Sequence, residues 1–199
     1  MLHSFLSPKR QRLSRRDTTD PAGLEIVIRS KSERDRKIVK DIIAKIKAKN
    51  DEVRAKVEEI EDSNKRLVLE IVRGEAIKVA VYESDIEKKK ADYRIDLADV
   101  EKFRGITAVP PEAVIWHEIV EKWLGMTFKP RPSYEEAHRI AKEWEAKYSG
   151  WTRIKDATSF ASSTWLWTYR GPNGELHEIT GYTTRDGNIY AVNEVPVED

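Results

Sequence analysis

The chain contains no cysteine among its 199 residues. This absence excludes disulfide bonds, thiolate metal ligands and a thiol nucleophile, and because it is typical of a reducing compartment we expect a cytoplasmic protein. No apolar run approaches the roughly 20 residues that a membrane helix needs, so no membrane partner is predicted. Glycine-rich loops of Walker or Rossmann spacing and a legible Ser/His/Asp set are also missing, which argues against nucleotide-binding and serine-nucleophile enzymes.

Neither sign of charge dominates, since 36 Lys and Arg residues face 35 Asp and Glu residues, for a net charge of +1. A general nucleic-acid binder or an acidic-tail protein would show a strong imbalance. Charged residues make up 36% of the chain and hydrophobic residues 39%, which still allows one modest core. We therefore expect a single soluble domain with appendages, and its oligomeric state stays open.

Residues 1–22 form a basic, acid-poor segment that we interpret as a disordered arm. An organellar transit peptide, typically rich in Arg and Ser, and a boundary within a longer protein are the open alternatives. Contact with nucleic acid through this arm is the least supported function, because five charges in a loose tail are a weak signal. The five are Lys9, Arg10, Arg12, Arg15 and Arg16.

Residues 23–150 read as strand, helix, three strands and two helices, which predicts an α+β domain. The expected strands cover residues 24–29, 66–73, 75–83 and 93–97. Residues 31–62 carry an apolar stripe at helical spacing, which predicts one long charged helix, although Asn50 and Asp51 leave open a division into two. This helix packs across the protein's own sheet or pairs with a coiled-coil partner, and its irregular stripe favours the former.

Two helices joined by a Pro-rich elbow are predicted within residues 110–148. The first begins at a Pro-Pro pair, because proline is tolerated in the first helical turn, and we expect Gly125 to end it. Ser133 is the expected N-cap of the second helix, and Glu136, three residues on, completes a capping box.

The helix pair carries the residues of a candidate metal site. His117 and Glu121 stand four residues apart, so one helical turn presents an imidazole and a carboxylate side by side. His138 on the second helix completes a set of two histidines and one carboxylate, which is known for catalytic zinc and also for non-haem iron. Glu118 stays outside that set and is suited to act as general base. The competing interpretation is a solvated surface pair, but the apolar residues around His117 favour a buried helix.

These residues fall into one longer pattern, His117-Glu118-x-x-Glu121 followed by Tyr134-x-x-Ala137-His138-x-x-Ala141 and then Glu145. The pattern resembles the active-site helix pair of zincin-like metallopeptidase modules in phage and mobile-element proteins. It covers roughly 40 residues and departs from proven zinc peptidases at Glu121, where the His-Glu-x-x-His motif has a second histidine.

The resemblance implies a small twisted sheet with a long backing helix and an active-site helix pair over residues 23–150. It also implies a peptidase in which zinc, or alternatively iron, is held by the two histidines and Glu121, with Glu118 as general base. Glu145 would then orient His138 from outside the ligand set. The alternative from another class is a non-catalytic interaction module that binds a protein partner through the C-terminal strands or the long charged helix.

Residues 151–199 are predicted to form a three-stranded antiparallel meander appended to the domain. Its expected strands cover residues 164–170, 175–184 and 189–195, with turns at 171–174 and 186–187. Strict alternation places Trp165, Trp167 and Tyr169 on one face, which we interpret as core or, if exposed, as a surface for a peptide, glycan or nucleobase. His177 is expected to make an ordinary structural contact and is the reserve metal ligand.

Overall fold

A computed structural model of the chain describes residues 26–63, 67–74, 94–106, 108–127, 130, 132–161, 163–185 and 189–197. Over these residues five helices and two β-sheets form an α+β fold, which confirms the predicted class. The predicted strand at 75–83, the basic arm at 1–22 and the predicted turn at 186–187 lie outside the described residues. None of the helices in this part of the chain combines the length and apolarity that a membrane span requires.

Three short parallel strands form the smaller sheet, in the order β1-β2-β3. The strands are β1 (Val27–Arg29), β2 (Val68–Val72) and β3 (Arg94–Asp96), which confirms the predictions at 24–29, 66–73 and 93–97. Parallel neighbours cannot be joined by a tight turn, so the helical segment between β1 and β2 serves as their crossover. The central strand buries Leu69 and Ile71 in the core.

The long backing helix predicted at 31–62 is two helices, α1 (Glu33–Lys47) and α2 (Asp51–Asp62). The break follows from Asn50, whose side chain caps α2 by accepting a hydrogen bond from the backbone N–H of Val53 at 2.8 Å. The apolar stripe nevertheless faces the protein's own core, as its irregular spacing indicated. Its buried members are Val39, Ile42, Ile46, Val53, Val57 and Ile60.

The predicted helix pair is present and its two members pack against each other. The remaining helices are α3 (Leu97–Glu101), α4 (Pro111–Thr127) and α5 (Tyr134–Ser149). The prediction that Gly125 ends α4 is wrong, because the glycine keeps a helical backbone and the helix continues past it; the ~1 kcal/mol cost of a helical glycine is small beside the apolar burial of α4. Ser133 caps α5 as predicted, accepting from the Glu136 N–H at 3.2 Å, and Gly150 ends it with a φ of 83°.

Four antiparallel strands form the second sheet, in the order β4-β5-β6-β7. They are β4 (Thr152–Ala161), β5 (Thr164–Arg170), β6 (Leu176–Thr183) and β7 (Ile189–Val197). The last three confirm the predicted meander, whereas β4 has no counterpart in the prediction and makes the sheet four-stranded. Register shifts interrupt the pairing of β4 with β5, so the sequence of β4 lacks the alternation by which a half-buried strand is recognised.

The second sheet is joined to the rest of the fold through β4, β5 and β7. β4 follows α5 directly and packs against it. On β5, the Trp167 ring meets Phe103 edge-on, with centroids 5.9 Å apart. At the start of β7, the Ile189 N–H donates to Asp99 Oδ1 at 2.9 Å. The helix pair therefore lies beside the sheet, which brings β4 and β5 next to the predicted metal ligands.

Candidate metal centre

Helix α4 supplies two of the three predicted ligands from inside the protein. His117 Nε2 and Glu121 Oε2 lie 3.2 Å apart across one helical turn. Only 3% of His117 is exposed, and its neighbour Trp116 on the same helix is fully buried. The surface-pair interpretation is therefore wrong for this histidine, as the apolar residues around it indicated.

Helix α5 supplies the third predicted ligand, His138. Ala137 and Ala141 are buried on this helix, and their small side chains permit close packing around it. Tyr134 stacks on the imidazole of His138, with ring centroids 5.3 Å apart and planes inclined by 21°. The stacked ring restricts the orientations that the imidazole can adopt.

The three predicted ligand atoms form a small triangle. His138 Nδ1 lies 2.7 Å from Glu121 Oε2, and His117 Nε2 lies 3.2 Å from both atoms. Ligand bonds of about 2.0–2.1 Å in tetrahedral geometry separate two ligand atoms by roughly 3.3 Å. The triangle therefore has nearly the size of one face of a tetrahedral metal site, and these three residues are able to hold a metal ion.

A carboxylate lies at the outer nitrogen of each histidine. His117 Nδ1 lies 2.9 Å from Glu145 Oε2, and His138 Nε2 lies 3.2 Å from Asp156 Oδ1. An ionised carboxylate only accepts hydrogen bonds, so these outer nitrogens carry the ring hydrogens; at His117, Nδ1 and Arg153 Nη2, which lie 3.2 Å apart, are then two donors that share Glu145 Oε2 as acceptor. The inner nitrogens of neutral rings then hold lone pairs that converge with Glu121 Oε2. Three acceptors this close together require a cation between them, either protons or a metal ion.

The two outer carboxylates are themselves anchored from the second sheet and from α5. Glu145 is buried, accepts a hydrogen bond from Arg153 and accepts another from the Tyr169 hydroxyl at 3.0 Å. Asp156 accepts from Lys142 Nζ at 2.8 Å, and Arg153 Nη1 lies 3.8 Å from its Oδ1. Strands β4 and β5 thus provide a polar layer behind the two histidines.

The charges that surround His117 and His138 determine the protonation of the cluster. Burial disfavours the ionised form of Glu145, but Arg153 and His117 outweigh it and lower its pKa to about 2. Burial also opposes the charge of Glu121, yet bonds with the two histidines lower its pKa to about 2. Burial and Arg153 oppose a charged His117, and hydrogen bonds with the two glutamates raise its pKa to about 9. Without metal, protons therefore occupy the cluster at neutral pH.

Glu118, the predicted general base, follows His117 on α4 and is half-buried. Burial raises its pKa, and the negative charge of Glu121 raises it further. A carboxylate whose pKa moves toward neutrality is better suited to accept a proton and to return it during a reaction. Its environment is thus compatible with the role that the sequence pattern predicted.

The predicted partner of Glu145 needs correction, because this carboxylate contacts His117 rather than His138. Residues 138 and 145 are separated by about two helical turns, or roughly 10 Å, so Glu145 reaches across to α4 instead of along its own helix. Asp156 takes the position at His138 that the sequence assigned to Glu145. Asp156 and Arg153 escaped the prediction because they lie on β4, the strand without a recognisable pattern.

The predicted aromatic face lies largely against the interior. Tyr169 is buried, Trp167 packs on Phe103, and Trp165 is half-buried. Gly181 on β6 makes room for this packing, since a Cβ there would lie 2.8 Å from the Trp167 ring. The arrangement agrees with the core interpretation, and it gives Tyr169 a polar role through Glu145 that the alternation of β5 did not reveal.

His177, the reserve ligand, lies apart from the triangle. Its Nδ1 lies 2.5 Å from Glu194 Oε1, and its ring meets Trp151 edge-on with centroids 4.6 Å apart.

Comparison of the chain with models of known protein families, with curated proteins and with solved structures finds no match. The zincin-like resemblance thus rests on the residue pattern alone, and the geometry of the cluster must carry the functional interpretation.

Proposed function

We propose that the protein is a zinc-dependent peptidase whose metal ion is held by His117, Glu121 and His138. The observation that supports this is the convergence of their three ligand atoms, with the outer nitrogen of each histidine occupied by a carboxylate. Two histidines and one carboxylate form a known catalytic zinc set, which leaves a further coordination position for substrate or water. The same set binds iron, so the identity of the metal is part of the test.

The residues around the triangle would transfer protons and orient the ligands. A divalent ion in this set would supply Lewis-acid chemistry for hydrolysis. Glu118 would take a proton from the attacking water and deliver it to the leaving amine, which its raised pKa favours. Glu145 and Asp156 keep the ring hydrogens on the outer nitrogens and leave the inner ones for the metal. A peptide as substrate follows from the zincin-like pattern.

Metal content, measured by mass spectrometry on purified protein, tests the site directly. We expect about one equivalent of zinc in the wild type and none in His117→Ala. His177→Ala is the matched control, because it removes a histidine that bonds Glu194 outside the cluster and should retain the metal.

The outcomes separate the site from the reaction. A wild type that takes up no metal even after incubation with zinc would overturn the proposal as a whole. Iron in place of zinc would keep the ligand set but point to another reaction class. A zinc-loaded protein should cleave peptides from a mixed library, lose this activity to a chelator and regain it with zinc. Zinc binding without any cleavage would reject the peptidase.

A further inference from the structure

Arg153 is a buried cation behind the metal triangle. Its side chain is 12% exposed, and its guanidinium lies 5.8 Å from the ring centroid of Tyr169. Removing such a charge from water is costly, and an apolar side chain of similar volume often serves stability equally well. The position of Arg153 therefore calls for an explanation beyond the stability of the fold.

The contacts of Arg153 reach the outer carboxylates of both histidines. Nη2 donates to Glu145 Oε2 and lies 3.2 Å from His117 Nδ1, while Nη1 lies 3.8 Å from Asp156 Oδ1. Glu145 also accepts from the Tyr169 hydroxyl, so three donors fix the orientation of one carboxylate. Loss of the guanidinium would leave Glu145 buried with fewer donors and free to rotate away from the ring.

Two carboxylates flank the ring of His117, one at each nitrogen. Glu121 lies on the inner side, where the metal ligands meet, and Glu145 lies on the outer side. With Glu145 at Nδ1, the ring presents Nε2 to the triangle. The side chain that holds Glu145 thereby determines which nitrogen is available as ligand.

We propose that Arg153 is a positioning residue of the metal centre: it holds Glu145, with help from Tyr169, so that His117 Nε2 points at Glu121 and His138. This inference rests on the proposed metal site and adds to it a determinant from the second sheet. Lysine would only partly replace Arg153, because a single ammonium cannot donate to Glu145 Oε2 and at the same time place a second positively charged N–H group near Asp156.

Zinc affinity, measured by chelator competition on the full chain, provides the test. We expect Arg153→Met to bind zinc about 10- to 100-fold more weakly, Arg153→Lys to fall between it and the wild type, and Tyr169→Phe to lose about 2- to 10-fold. Arg139→Met is the control, since Arg139 is exposed on the helix of His138 and pairs only with Glu143 among its described contacts. The absorption spectrum of the Co²⁺-loaded proteins should change in Arg153→Met and be partly restored in Arg153→Lys.

A purely structural role predicts a different result. Arg153→Met would then unfold at a lower temperature but bind zinc within about twofold of the wild type and keep its Co²⁺ spectrum, which would overturn the inference. If Arg153→Met does not fold, Arg153→Lys and Tyr169→Phe decide, and wild-type affinity and spectrum in both would overturn it. A wild type that binds no zinc refutes the proposed function itself and, with it, this inference.

Discussion

The two histidines of the cluster differ from His177 in what lies at both ring nitrogens. His117 and His138 each have a carboxylate at the outer nitrogen and share Glu121 at the inner one. His177 instead bonds Glu194 and packs on Trp151. A ring fixed from outside is a preorganised ligand, because little orientational freedom is lost when a metal binds.

Glu118→Gln separates catalysis from metal binding. Glutamine has nearly the same shape as glutamate but cannot accept a proton, so we expect peptide cleavage to fall about 100-fold or more. Zinc affinity should stay within about threefold, because Glu118 lies outside the ligand set. Glu143→Gln, which removes an exposed acid on α5, is the control and should leave both quantities unchanged. Loss of zinc together with activity in Glu118→Gln would mean that its role is assigned wrongly.

Zinc binding should strengthen as pH rises. The folded-state pKa of His117 is raised to about 9, so below that pH zinc has to displace its proton. The same shift means that protonated His117 stabilises the metal-free fold below about pH 6.5 and that this contribution is lost as pH rises through 9. Zinc dissociation constants between pH 6 and 9 should fall by about tenfold per pH unit for each proton displaced. An affinity that does not vary over this range would contradict the assignment.

At the scale of elements, the metal ligands depend on a helix that is apolar on nearly every side. Most of α4 is buried between α1 and α5, which packs its backbone firmly and fixes the direction of His117. Helix α5 begins and ends at well-defined caps, Ser133 and Gly150, so the position of His138 along it is also fixed. Two closely packed helices, of which α5 is capped at both ends, hold a site more accurately than loops would.

Two glycines test how these helices end. Gly150 has a φ of 83°, whereas Gly125 lies inside α4, and an added Cβ would have open space at both positions. Gly150→Ala should lower the free energy of unfolding by about 1 kcal/mol through left-handed backbone strain. Gly125→Ala should raise it by about 0.5–1 kcal/mol, because alanine loses less backbone entropy in a helix. Chemical denaturation measures both, and a shift of the same sign in the two variants would show that backbone conformation is not the cause.

At the scale of the whole molecule, the helix pair packs against α1 through α4 and against the second sheet through α5 and β4. The ligands come from α4 and α5, and the polar layer behind them comes from β4 and β5. Asp99 ties the second sheet to α3, since its Oδ1 accepts the Ile189 N–H; its other carboxylate oxygen is buried and has no hydrogen-bond partner among the residues that the structure describes. This junction provides a pH-dependent term in the stability of the whole fold.

Asp99→Asn should stabilise the protein at alkaline pH. Burial, and secondarily the charge of Asp96, raise the pKa of Asp99 to about 7. Between the pKa values of the unfolded and folded states, the folded protein keeps a proton on Asp99 that the unfolded chain has lost. The contribution of Asp99 to the stability of the fold is therefore complete below about pH 4 and is lost as pH rises through 7. Asparagine mimics the neutral acid. The free energy of unfolding of Asp99→Asn should therefore equal that of the wild type near pH 4 and exceed it by at most about 4 kcal/mol near pH 8.

Denaturant unfolding of both proteins across this pH range, with a chelator present, measures the difference. Asp99→Ala is the control, because it lacks both the bond to Ile189 and the ionisable group: it should be less stable than the wild type near pH 4, and this difference should shrink toward pH 8 by as much as Asp99→Asn gains. A difference between Asp99→Asn and the wild type that stays constant with pH would show that the carboxyl group does not titrate as expected.

The sequence by itself determined the local features of this protein. Helical spacing and capping residues predicted α4 and α5, and the i, i+4 relation of His117 and Glu121 placed both on one turn. Such features depend on neighbours in the chain, which is why Ser133 could be recognised as the start of a helix. The prediction for Gly125 was wrong because a glycine permits a helix end without requiring one, and the packing of α4 keeps the helix going to Thr127.

Only the tertiary structure decided which residues surround the ligands. Glu145 contacts His117 on α4 rather than His138 on its own helix. Asp156 and Arg153 lie on a bulged strand that shows no periodic pattern. Their contacts with the two histidines join positions 18 to 36 residues apart in the sequence, and no local periodicity encodes which of many charged residues will meet. The chain therefore specifies the inner ligands through helix geometry, and the packing of a sheet against that helix pair specifies the layer that orients them.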